Sequence, residues 1–171
     1  MNFLRHLRAV VLLPGMALVV IPGIVLLTED VNVGWGLPGP LRFIPPLLGG
    51  GLIAIGLGLL GWTISLFATA GRGTLAPWDP TQQLVVRGIY RHVRNPMISG
   101  VLNVLLGEVA LAGSLPLLFW FLLFFLANSL YIPLVEERGL ERRFDSDYLR
   151  YKQNVPRWVP RIRPWHPDLN A

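Results

Sequence analysis

From Met97 to Val135 the chain runs for 39 residues with a single charged side chain, Glu108. A helix crosses the hydrocarbon core of a bilayer in about 20 residues. A stretch of this length must therefore cross, turn and cross back, and Gly113-Ser114-Leu115-Pro116 supplies the break. Two further uncharged stretches, Ala9–Leu27 and Phe43–Gly71, are each long enough for one span. Arg5, His6 and Arg8 precede the first stretch as they would in a secretory signal, but no small-residue cleavage site follows it, so it reads as a retained helix. The prediction is an all-α integral membrane protein of one domain over residues 1–171. Its four transmembrane helices fall at about 7–27, 43–71, 97–113 and 115–135, the last two as a C-terminal helical hairpin, with a polar tail over 136–171.

Composition agrees: at 53% hydrophobic and 15% charged, the chain carries more apolar side chain than a soluble domain of this size could hide. It has no cysteine, which excludes disulfides, thiolate metal sites and thiol nucleophiles. The net charge of +5 would suit nucleic acid in a soluble protein. Here the basic residues flank apolar spans, so membrane lipids with anionic headgroups are the expected partner and nucleic acid is not. Of the 15 Lys and Arg, all except Arg42 lie in the N-terminus, the Arg72–Arg94 segment or the C-terminal tail. Positive-inside counting makes those parts, and both termini, cytoplasmic. A bacterial inner membrane is the expected location. Gly50, Ala54 and Gly58 put small residues on one face of the second helix, where a neighbouring helix could approach closely.

The residues that do not belong in a membrane gather at the cytoplasmic ends of the hairpin, where Met97 begins one arm and Val135 ends the other. Glu136 and Glu137 have no basic residue three or four positions later, where Gly139, Leu140 and Glu141 stand, so pairing within the helix cannot account for them. They call for a cation from elsewhere: Arg91 or Arg94 across the hairpin, or a positively charged ligand. The plainer alternative is a pair of solvated surface glutamates. Across the hairpin, Arg94-Asn95-Pro96 marks a helix start. Its free N–H groups and the arginine suit a carboxylate or phosphate, although an ordinary helix start would look the same. Acidic pair and helix start together fit a zwitterionic ligand in a pocket at the cytoplasmic face.

At these residues the sequence resembles the isoprenylcysteine carboxyl methyltransferase family, membrane methyltransferases related to phosphatidylethanolamine N-methyltransferases. The resemblance is carried in order and spacing by Leu84-Val85, Gly88, Tyr90, Arg94, Pro96 and Gly100, then Glu136-Glu137, Leu140, Phe144, Tyr148, Tyr151 and Val155-Pro156. It implies an S-adenosylmethionine-dependent methyltransferase with a lipid-like methyl acceptor. By resemblance, Gln83, Leu84, Val85 and Tyr90 would line the adenosine side, with Asn95, Pro96 and Met97 beside the amino acid moiety, while Arg94 joins the cofactor-binding candidates through its place at the helix start. Glu136 would hold the ammonium and Glu137 would support it. The sequence departs from the family pattern at Asn95 in place of histidine, Ile98 in place of tyrosine and Asp145 in place of glycine. Where carboxyl-methylating members carry an arginine one turn before the acidic pair, this chain has Tyr131, Ile132 and Pro133. The acceptor is thus an isoprenylcysteine carboxylate or another lipid-like group, with the ethanolamine headgroup of a phospholipid as the alternative.

Methyl transfer from a sulfonium is an in-line displacement that needs alignment and a dry site more than a strong acid or base. No catalytic acid or base is assigned. His6, His92 and His166 lack metal-ligand spacing, and no metal is expected. Glu108, deep in the third span, is expected to hydrogen-bond with Asn103 and Asn128 inside the bundle. The rival from another class is a non-enzymatic membrane scaffold or transporter subunit. A transporter should have discontinuous helices or internal pseudo-symmetry, and a scaffold has no use for the acidic pair.

Overall fold

Proline and glycine set the ends of the helices. The computed structural model describes residues 14–28, 31–67, 69 and 83–166. Outside them lie Arg5, His6, Arg8, the first part of the first predicted span, Glu29, Asp30, and the segment carrying Arg72 and Trp78. The described residues form helices and connecting turns with no strand among them. A π-helical turn Met16–Val20 leads into α1, Ile21–Thr28, and a 3-10 turn Gly39–Phe43 into α2, Ile44–Leu66. Pro45 and Pro46 occupy the first turn of α2, where a missing N–H costs nothing and the fixed φ is already helical.

Asn95 leaves helical geometry at φ −120°, ψ 55°, and α3, Pro96–Ala112, begins directly after it. It stops at Gly113, which takes a left-handed φ of 62° and returns its N–H to the Val109 carbonyl. Ser114 then caps α4, Leu115–Tyr131, by accepting from the Leu117 N–H at 3.3 Å. Two residues therefore reverse the chain, and the hairpin forms where its sequence requires. Trp120 ties α4 to the first helix by donating to the Ala17 carbonyl.

Two apolar helical runs, Gly39–Leu66 and Leu115–Asn154, are long enough to cross a bilayer, while Met16–Thr28 and Pro96–Ala112 are shorter. The second run departs from the expected end at Val135. A π-helical turn, Ile132–Glu136, carries α4 into α5, Glu137–Asn154, so the two glutamates lie within a helix instead of at its C-terminus. Pro133 accounts for the wide turn, because its ring removes one helical N–H and crowds the carbonyl before it.

The close approach predicted through Gly50, Ala54 and Gly58 uses a different face. Gly50 and Gly58 meet nothing within 4 Å. The contact instead pairs Gly49 with Gly107 and Gly56 with Gly100 across antiparallel α2 and α3. A Cβ at Gly56 would stand 2.6 Å from the Gly100 carbonyl oxygen, and one at Gly107 would stand 2.6 Å from that of Gly49. Seven residues are nearly two whole turns, so glycines at that spacing stay on one face over a longer seam than glycines at four. Gly56→Leu is expected to lower stability by about 3 kcal/mol or more through overpacking, with Gly58→Leu nearly neutral, as read by thermal unfolding in detergent. Equal effects would contradict this seam.

Within α5, Asp145 has φ 41° and ψ −120°, a conformation that favours glycine. The kink turns the last helical segment so that Tyr148 and Tyr151 pack with Val155 and Trp165 in a small core of their own. Trp165 is thus buried and anchors the tail to the protein. Asp145→Gly is expected to raise stability by about 1 kcal/mol, the relief of about 1–3 kcal/mol of backbone strain less the entropy that glycine adds to the unfolded chain. A lowered melting temperature would contradict this.

Candidate cofactor and acceptor site

Four segments converge where α3 begins and α4 passes into α5. The 3-10 turn Gly88–Arg91 places Tyr90, which is buried and meets the Phe67 ring edge-on at 5.5 Å between centroids. Gly88 has φ 54° and passes so close to Trp62 and Leu66 that a Cβ would stand 3.1 Å from a Leu66 methyl. The Tyr90 carbonyl accepts a 2.7 Å hydrogen bond from the Tyr151 hydroxyl. The tail then doubles back along the same segment. Arg94 N–H donates to Pro156, Arg161 N–H to His92 and Trp165 N–H to Arg91, each to the backbone carbonyl. The His92 ring bonds through Nδ1 to the Arg161 carbonyl at 2.8 Å.

The acidic pair divides its work, since neighbouring residues on a helix point about 100° apart. Glu137 is 2% exposed and turns toward the arginines. Its carboxylate accepts from Arg94 Nη1 at 2.9 Å, from Arg157 Nε at 2.8 Å and from Arg157 Nη2 at 3.0 Å, with Lys152 Nζ at 3.3 Å. Burial alone would raise its pKa. The Arg157 hydrogen bonds and the Arg94 charge outweigh that and hold it below the ordinary value. Tyr148, beside Arg94 Nη1 at 3.5 Å, has its phenol pushed up to about 12, first by burial and then by the Glu137 charge, so it stays protonated.

Glu136 faces the other way, into a cavity of about 630 Å³. Among the described residues no basic side chain pairs with it. Glu136 is exposed as a residue, yet desolvation by the protein around its carboxyl, reinforced by the Glu137 charge, raises its pKa. Opposite, at the start of α3, Arg94 Nε and Asn95 Nδ2 are buried N–H donors without a partner. Because Pro96 has no N–H and the Ser99 N–H returns to the Asn95 carbonyl, the Met97 and Ile98 amides are the open donors of this helix start.

Of the residues singled out from the sequence, Leu84, Val85, Tyr90, Arg94, Asn95, Met97, Glu136 and Glu137 line this one cavity. Pro96 is buried behind Asn95 and Met97, and Gln83 is exposed and does not join them. Sequence reasoning missed the rest of the α5 wall, Gly139, Leu140 and Arg143, although their spacing from Glu136 follows one helical face. It also missed the apolar half of the cavity, where Ala17, Ile98, Val101, Phe124, Asn128 and Ile132 continue the lining between the helices. The expected network of Glu108, Asn103 and Asn128 is absent. Asn103 donates to the Ser99 carbonyl and Asn128 to the Phe124 carbonyl, each on its own helix, while Glu108 Oε2 is buried without a partner. Ser, Thr and Asn commonly bond back onto their own helix in this way.

The lining therefore offers a carboxylate on one wall, unpaired N–H donors on another, and an apolar extension between helices. Among the described residues no group of three or more His, Cys, Asp or Glu could hold a metal ion. Comparison with known proteins gives neither a curated relative nor a solved structure that matches. The sequence pattern of the phospholipid methyltransferase family does match, over residues 45–147, from the first turn of α2 past Glu136, Glu137 and the Asp145 kink. This stretch holds both arms of the hairpin and most of the cavity wall, and the chain belongs to the phospholipid methyltransferase family.

Proposed function

We propose that the protein transfers a methyl group from S-adenosylmethionine to a lipid-like acceptor at the cytoplasmic face of a membrane crossed by four helices. The observation that carries this reading is the Glu136 carboxylate, which has no basic partner among the described residues and lines a cavity together with the unpartnered N–H donors of Arg94 and Asn95. Buried N–H donors without partners are costly, the neighbouring carboxylate calls for a cation, and a ligand with an ammonium and a carboxylate satisfies both. S-adenosylmethionine has both, and when bound it supplies a methyl group activated on a sulfonium.

Glu136 would take the ammonium. Asn95 Nδ2, Arg94 Nε and the α3 amides would take the carboxylate. Leu84, Val85 and Tyr90 form the wall nearest the tail and suit the adenosine. Glu137 does not reach the ligand in this reading: it holds Arg94 in place, and Arg157 and Lys152 hold Glu137. The apolar extension between α3, α4 and the first helix would admit the acceptor's chain from the lipid side, keeping water out of the transfer. Arginines at the same end of the helices as the cavity support a cytoplasmic site.

Calorimetric titration of the protein in detergent with S-adenosylhomocysteine tests the cofactor. Saturable binding below millimolar ligand is expected, and methyl-labelled S-adenosylmethionine should mark an extractable lipid. Absence of binding at millimolar ligand would overturn the reading in favour of a scaffold.

A further inference from the structure

Asn128 is a polar side chain among the apolar residues that line the cavity between the helices. It lies eight residues before Glu136, about 12 Å along the same helical run at ~1.5 Å per residue. Its neighbours in the lining are Phe124 one turn deeper, Val101 of α3 and Ala17 of the first helix. Its amide orientation is set by chemistry: only N–H can donate to the Phe124 carbonyl, 2.8 Å from Nδ2. Oδ1 is therefore an acceptor oxygen with no donor among the described residues, in a lining whose other polar side chain on α4 is Tyr131, three residues nearer Glu136 and 45% exposed. The lining cations lie at the other end. Arg94 is bound to Glu137, and Arg143 is seven residues beyond Glu136 on α5. Among the described residues an acceptor carboxylate in the deep half would meet Oδ1 lone pairs and no counter-charge.

We propose that Asn128 is an acceptor-positioning residue, whose Oδ1 accepts a hydrogen bond from an N–H or O–H on the reacting group of an amphiphile and so selects such groups over carboxylates. This rests on the methyltransferase reading of the same cavity and adds to it the group that the deep half recognises. Tying the N–H or O–H bond to Oδ1 turns the lone pair of the same heteroatom away from α4. An ether or a carboxylate has no hydrogen to offer there.

The test is equilibrium binding of three probes that share one chain, dodecanol, its methyl ether and laurate, to the full-length protein in nanodiscs, with and without saturating S-adenosylhomocysteine. The wild type should bind the alcohol about tenfold more tightly than the ether or laurate. Asn128→Leu should bring the alcohol and ether within twofold of each other while leaving S-adenosylhomocysteine affinity within twofold. Asn128→Asp keeps an acceptor oxygen and should retain the preference for the alcohol over the ether. Equal binding of alcohol and ether by the wild type, tighter laurate binding, or no probe binding would each overturn the proposal, and none of these needs the Leu variant to fold. Failure of S-adenosylhomocysteine itself to bind would instead sink the cofactor reading, and the probe series without it would still decide the role of Asn128.

Discussion

Replacing Glu137 with glutamine is expected to destabilise the protein by about 3–5 kcal/mol at neutral pH, because removing one member of a buried ion cluster leaves its partners as uncompensated charges. Arg94 carries most of this effect, its side chain being 9% exposed against 3% for Glu137. Lys152, 37% exposed, contributes little because solvent screens it. The pH dependence has a definite sign. The folded pKa of Glu137 lies below its ordinary value of 4.5, so its stabilisation is fully present above that value and is lost as pH falls through the lowered folded value. Thermal unfolding of the wild type should therefore have an acid limb that Glu137→Gln flattens. Pairing Glu137→Gln with Arg94→Met should recover part of the loss, since it removes the most buried of the cations left without a partner. If the double variant were no more stable than the single one, the ion cluster would not be the cause.

Glu136→Gln should behave in the opposite way. Its folded pKa is raised, so the ligand-free protein holds the proton more tightly than the unfolded chain does, and the wild type bears a penalty at pH values above both. Glutamine removes that penalty, and the ligand-free variant should melt no lower than wild type at neutral pH. S-adenosylhomocysteine affinity, by contrast, should fall by about 10–100-fold, the range for a lost charge-assisted hydrogen bond. Binding needs the carboxylate, so wild-type affinity should decline on acidification at a higher pH than an ordinary glutamate would give. The glutamine variant should lack that limb. A variant that loses stability and keeps affinity would place Glu136 among the structural residues.

Much of this arrangement was legible in the chain. Uncharged runs and the Gly113–Pro116 step fixed the hairpin, and the hairpin brought Arg94 to Glu137 across 43 residues of sequence. The lack of local partners for the acidic pair was also visible, but which glutamate would find protein cations and which would face a cavity was not. That division depends on the helix continuing through Pro133, and on Arg157 and Lys152 returning from the far side of the Asp145 kink. The helical seam was misplaced because spacings of four and seven both occur among the glycines, and only the packed structure selects between Gly50 and Gly49. The tail's course along residues 91–94 rests on backbone hydrogen bonds, which leave no mark in side-chain pattern. Asn128 looked like an internal network residue because its depth was readable while its bond to the Phe124 carbonyl was not.

Whether the Glu136 carboxylate holds the amino group of the cofactor, as proposed, is decided by a two-by-two binding cycle of wild type and Glu136→Gln against S-adenosylhomocysteine and its analogue lacking the α-amino group. Deleting the amine is expected to weaken wild-type binding by about tenfold or more and barely to change binding to the glutamine variant. If the amine contributed equally to both proteins, Glu136 would not be its partner.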